Sequence, residues 1–107
     1  MNELTNDTIR CDRALNALEE IIDPEIGLNI VDLGLIYEIN FDDDNAIVKV
    51  VMTLTTPHCP MGESITGSVK TVLKRDFQEM EIALELTFYP PWNLEKISDE
   101  GREFLNQ

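Results

Sequence analysis

Apolar side chains recur along this chain with two periods, and the change of period marks its elements. Cys11, Ala14, Leu15, Leu18 and Ile22 recur at helical spacing, with Thr5, Asn6 or Asp7 as the cap. Asp23-Pro24 is the expected stop, because the residue before a proline avoids the helical region. The stretch "DPEIGLNIVDLGL" has two glycines and short apolar pieces, and is expected to be an ordered loop leading into a strand. From Leu35 the period becomes two, with Leu35, Tyr37, Ile39 and Phe41 on one side and Ile36, Glu38 and Asn40 on the other. "DDDN", residues 42–45, is a turn. A second strand is expected from Ala46 to Thr55, with Val48, Val50, Met52 and Leu54 inward and Lys49, Thr53 and Thr55 outward. Met61, Ile65, Val69, Val72 and Leu73 then form a second helical stripe. "MEIALELTF", residues 80–88, alternates Ile82, Leu84, Leu86 and Phe88 against Glu81, Ala83, Glu85 and Thr87. After the turn "YPPWN", a short helix is expected from Leu94 and another helical turn after Ser98.

The order is therefore helix, strand, strand, helix, strand, short helix. The first two strands make an antiparallel hairpin, and the helix after them is long enough to return the chain to a parallel strand. This predicts an α+β fold: a compact two-layer domain whose small mixed sheet carries its helices on one face. Residues 1–107 are expected to form one domain with a frayed lead-in at residues 1–7, and no repeat or linker interrupts them.

Charge narrows the function. Eight basic residues against 21 acidic ones leave a net charge of −13, whereas nucleic-acid binding requires clustered Lys and Arg. Lys70, Lys74 and Arg75 are the sole basic cluster and read as a solvated helix face. The acidic hairpin tip lacks the spacing of a calcium loop. No stretch approaches the roughly 20 apolar residues of a membrane span, and the polar start has no signal-peptide core, so the expected location is the cytoplasm. Two cysteines, Cys11 and Cys59, make no disulfide framework, and each is expected to be a reduced thiol. Cys11 lies on an apolar stripe and reads as a core residue.

Cys59 is different. In "TTPHCPMG" a helix is expected to begin at Pro60 or just after it, which places Cys59 at the cap beside free N–H groups and the positive end of the helix dipole. That setting favours a thiolate, a nucleophile and a soft-metal ligand. The competing reading is an inert cysteine filling a loop. His58 is a weak candidate ligand, because neighbours in an extended turn point apart. No C-x-x-C exists, so a closed four-ligand site within one chain lacks ligands. No phosphate loop or dinucleotide motif is present, and no catalytic constellation stands out. Asp23, Glu25 and Asp32 lie in the ordered loop, either closing turns or, if the loop folds over the cysteine, tuning the thiol. Trp92 follows two prolines and is either a lid on the core edge or an anchor for a partner.

Three segments together carry a resemblance. "DPEIGLNIVDLGLIYEI", "MTLTTPHCPM" and "PPWNLEKISDEGR" resemble the signatures of the SufT and PaaD-like iron–sulfur cluster assembly family, which includes the eukaryotic cytosolic iron–sulfur targeting adaptors. The resemblance runs from about residue 14 to 105. It implies a fold similar to iron–sulfur assembly carrier domains, and a non-enzymatic role in maturing or delivering clusters to apo-proteins. By motif it implies Cys59 as the central cysteine, Asp23, Glu25 and Asp32 as its acids, Thr53, Thr55 and Thr56 as its threonines, and Trp92 as its C-terminal aromatic. The implied cargo is iron or an iron–sulfur cluster, held transiently and shared between chains or with a partner. Implied partners are the assembly machinery and its apo-clients, with a homodimer as one way to share a cluster. His58 departs from the small residue usual in the family. The absence of a cysteine-bearing tail after Gln107 leads to the expectation of the stand-alone SufT-like branch.

Overall fold

The structure is a computed structural model that describes residues 4–24, 26–55 and 62–105. Its elements are β1 (Leu4–Thr5), α1 (Thr8–Leu18), β2 (Ile36–Asp42), β3 (Ile47–Met52), α2 (Gly62–Asp76), β4 (Glu81–Leu86), a 3-10 turn (Leu94–Lys96) and α3 (Asp99–Leu105). The sheet runs in the order β1-β2-β3-β4, with β2 antiparallel to β3 and both outer pairs parallel. The α+β architecture follows the pattern of periods: α1 and α2 pack together over one face of a mixed sheet. Between the layers lie Val48, Val50 and Met52 from the sheet, Leu18 from α1, and Ile65, Val69 and Leu73 from α2, all buried. Met61, expected on the α2 stripe, lies outside the described residues.

The lead-in is structured from Leu4 onward. Leu4 and Thr5 pair with Glu38 and Ile39, and the Asn6 carboxamide continues the ladder. Its Nδ2 donates to the Phe41 carbonyl at 2.9 Å, and its Oδ1 accepts from the Phe41 N–H at 2.9 Å. Asp7 then caps α1 by accepting from the Arg10 N–H at 3.0 Å. The Arg10 guanidinium pairs with Asp43 at 2.8 Å and lies 4.5 Å over the Phe41 ring, so the start of α1 is tied to the hairpin tip.

Three expected features are corrected. The first helix ends at Leu18, before the proline. The N–H groups of Glu20 and Ile21 bond back to the carbonyls of Ala17 and Leu18, a tightened last turn that swings the chain out of the helix. Ile21 therefore enters the core and Ile22 is 51% exposed. In β2, a bulge between Ile36 and Glu38 breaks the alternation. Ile36 comes into phase with Ile39 and Phe41 on the core side, while Tyr37 leaves it for the opposite face. Thr53 is fully buried rather than outward, because the strand has ended at Met52 and the Thr53 N–H donates to the Leu35 carbonyl at 2.9 Å. In addition, Leu86 and Phe88 are 40% and 39% exposed, since β4 is an edge strand covered from one side only. Among the described residues no helix is long and apolar enough to cross a membrane.

Candidate functional site

The loop between α1 and β2 is built like a small element. The Asp23 N–H donates to the Leu28 carbonyl at 3.0 Å, and the Ile30 N–H to the Ile21 carbonyl at 3.0 Å. The Asp23 carbonyl accepts from Gly27 at 2.7 Å, closing a turn in which Gly27 takes φ 82°. Leu28, Ile30, Val31, Leu33 and Leu35 are buried, so this loop is core without a period. Asp23 is 1% exposed within it. A carboxylate so deep is expected to be satisfied by hydrogen bonds.

Asp32 is the centre of a clasp. Its Oδ2 accepts from Asn29 Nδ2 at 2.8 Å, and its N–H donates to Asn29 Oδ1 at 2.8 Å. Its Oδ1 accepts from Ser98 Oγ at 3.0 Å, and its carbonyl accepts from the Ser98 N–H at 2.7 Å. Ser98 Oγ in turn accepts from the Gly101 N–H at 3.0 Å and so caps α3. Trp92 closes the same clasp: its indole N–H donates to the Leu33 carbonyl at 2.6 Å, and the half-buried ring packs on the core. Gly34, at φ 79°, lets Lys96 approach so closely that a Cβ there would stand 2.2 Å from the Lys96 carbonyl oxygen. The loop and the C-terminal segment thus form one unit.

A second polar group lies beside it. The Tyr37 hydroxyl donates to the Pro90 carbonyl at 2.8 Å. Burial pushes the Tyr37 phenol above its ordinary value, and its hydrogen bond with the Thr53 side chain opposes that shift. Thr55, half-buried, is the last described residue before α2.

Of the residues expected at the site, Asp32 and Trp92 are bonded within the clasp, Asp23 is buried in the loop and Thr55 is half-buried after β3. Cys59, His58, Thr56 and Glu25 lie outside the described residues. In sequence, Cys59 falls in the connection between β3 and α2, and α2 is described from Gly62 onward. Cys11 is 3% exposed in the core, as expected. Among the described residues no three His, Cys, Asp or Glu side chains converge to hold a metal ion. Sequence reasoning missed Tyr37, Asn29 and Ser98. Ser98 carried a signal, standing directly before the acidic pair Asp99-Glu100 as an N-cap does. Tyr37 carried none, because the bulge that turns it is not visible as a period.

Helices over one face of a small mixed sheet, with the sequence between β3 and α2 carrying a cysteine, define a small two-layer α+β domain. The chain belongs to the iron–sulfur cluster assembly protein family, whose profile matches residues 12–83. It is 42% identical over 78 residues to the Fe-S protein maturation auxiliary factor SufT of Staphylococcus aureus, covering 73% of this chain and 88% of that protein. It is 36% identical over 84 residues to the Fe-S protein maturation auxiliary factor YitW of Bacillus subtilis, covering 78% and 81%. The crystal structure of a domain of unknown function from Bacillus anthracis superposes with a TM-score of 0.82 at 36% identity, covering 89% of this chain and 90% of that one. The Staphylococcus and Bacillus subtilis relatives are named as maturation factors rather than as catalysts.

Proposed function

We propose that this protein is a cytoplasmic maturation factor that assists delivery of iron–sulfur clusters to apo-proteins, with Cys59 as the thiol through which iron or a cluster passes. Family membership across residues 12–83, a span that includes Cys59, carries the reading. Burial of Cys11 supports it, because Cys59 is then the thiol left for cargo. Thiolate sulfur suits iron and iron–sulfur clusters. One thiolate cannot complete the usual four-cysteine ligation of a cluster, so the remaining ligands come from a second copy, a small thiol or the partner. Assembly proteins and apo-clients are the partners in this reading.

The test is the iron and acid-labile sulfide content of protein purified without oxygen, wild type beside Cys59→Ser. Iron and sulfide in the wild type alone support the proposal, and their ratio to chain shows whether two chains share a cluster. Full client maturation by Cys59→Ser refutes the thiol's role. In that case a second reading, a pure adaptor, takes over. The exposed Leu86, Phe88 and Tyr89 beside the sheet edge favour it. Trp92→Ala would not separate the two readings, because Trp92 is bonded inward to Leu33.

A further inference from the structure

The sheet face away from α1 and α2 carries a groove of about 1100 Å³ that cluster chemistry does not use. Register sets its floor. Glu38 stands opposite Val51, and Val51 opposite Glu85, so two carboxylates flank an apolar side chain in one row across β2, β3 and β4. Adjacent strands are about 4.8 Å apart, which separates the two acids by roughly 10 Å. Tyr37, turned to this face by the bulge, widens the apolar floor. The C-terminal segment forms the opposite wall and adds Glu95, Asp99 and Glu100. Tyr89, 86% exposed, stands at the rim.

Five carboxylates face two cations here, and the floor and wall themselves engage those cations. The Lys96 ammonium lies 5.0 Å from the centre of the Tyr37 ring. Arg102 donates to the carbonyls of Leu94 and Glu95 at 3.3 and 3.2 Å. Among the described residues none of Glu85, Glu95, Asp99 and Glu100 is in an ion pair. The groove therefore sets uncompensated negative charge beside an apolar strip. A second copy of a chain with net charge −13 is a poor occupant for it.

We propose that this groove docks an extended, Lys- or Arg-bearing peptide segment of a partner protein. An apolar side chain lies over Val51 beside Tyr37, and cations two residues to either side reach the flanking acids. In an extended chain such cations are about 13 Å apart, within reach of acids roughly 10 Å apart for long flexible side chains. The row ends one residue short of Met52 and Leu86, where β3 runs on in sequence toward Cys59. A docked partner is thereby held at the same end of the sheet. The inference stands on the groove alone, whether or not Cys59 carries iron.

The test is fluorescence anisotropy with short labelled synthetic peptides: one with Lys, Leu and Lys at every second position and Gly between them, one with Glu for Lys, one with Ser for Leu. Saturable binding is expected for the first alone. Glu85→Lys combined with Glu95→Lys should weaken it roughly tenfold or more, by removing and reversing complementary charge. Asp12→Lys combined with Glu79→Lys makes the same change of net charge elsewhere and should stay within about twofold. Circular dichroism confirms that both double variants are folded, and Glu85→Gln provides a milder step in the same direction. Equal weakening by both double variants overturns the proposal, as does equal binding of the Ser peptide or equally effective displacement by spermidine. Cys59→Ser should bind the peptide like wild type. Loss of iron with peptide binding intact would therefore count against neither this surface nor its occupant.

Discussion

At Gly34 the loop backbone meets the C-terminal segment with no room for a side chain, and replacing it with alanine separates two costs. The first is conformational. At φ 79° an L side chain sits in the left-handed region, which costs about 1–2 kcal/mol. The second is steric. The new Cβ would lie 2.2 Å from the Lys96 carbonyl oxygen and 2.9 Å from its carbon, both backbone atoms that cannot rotate away. Relieving such an overlap by shifting backbone costs about 1–3 kcal/mol more. The sum, about 2–5 kcal/mol, is a large part of the 5–15 kcal/mol that holds a typical domain together. Gly27 supplies the control. Its φ is 82°, but a Cβ there meets nothing within 4 Å, so Gly27→Ala should lose only the conformational part, about 1–2 kcal/mol. Urea unfolding followed by fluorescence measures both, because the single tryptophan, Trp92, belongs to the clasp and reports its opening. If Gly34→Ala proves no less stable than Gly27→Ala, the close approach of Lys96 to the loop is wrong and the clasp argument fails with it.

Three further expectations follow from the same contacts. Asp32→Ala leaves Ser98 and Asn29 without their shared acceptor and should cost about 1–3 kcal/mol in urea unfolding; wild-type stability would remove Asp32 from the clasp. Asp7, Asp42 and Asp43 all have carboxyls held below the ordinary 3.8. The causes are, first, the Arg10 backbone N–H for Asp7, the Asn45 side-chain amide for Asp42 and the Arg10 guanidinium for Asp43. A carboxyl depressed on folding contributes stability above its unfolded pKa and loses it as pH falls through the folded one, so thermal stability should decline on acidification below about pH 4. Asp43→Asn should make that decline shallower, and an unchanged profile would refute the pairing with Arg10. Cys59→Ser should abolish iron and sulfide retention while leaving the circular dichroism spectrum unchanged; an unfolded variant would instead assign Cys59 to the core.

The strands β3 and β4 and the helix α2 were legible in the sequence because each repeats its period several times against one packed layer. Ile65, Val69 and Leu73 are buried where the spacing places them, and Val48, Val50 and Met52 likewise. The failures have a common cause, which is packing without repetition. Residues 19–35 place Ile21, Leu28, Ile30, Leu33 and Leu35 in the core through individual turns, so no period announces which side chain goes in. The two residues of β1 are too short to show alternation, and Asn6 joins the ladder through its side chain, which no strand propensity describes. The bulge at Tyr37 inverts a pattern that looked regular. In the clasp, Asp32 and Trp92 were singled out by motif. Their partners Asn29 and Ser98 were not, because those contacts span the chain: Ser98 meets Asp32 across 66 residues.

The sheet's connectivity also sets an order of assembly. Only β2 and β3 are joined by a short turn; the β1–β2 and β3–β4 pairings each close across a helix. Loop closure favours the local hairpin, and non-local parallel pairs come later. The segment that carries Cys59 lies inside the β3–α2–β4 crossover. The sheet is therefore complete only when both helix-spanning pairings have closed, which makes the β2–β3 hairpin the frame on which the two outer strands dock.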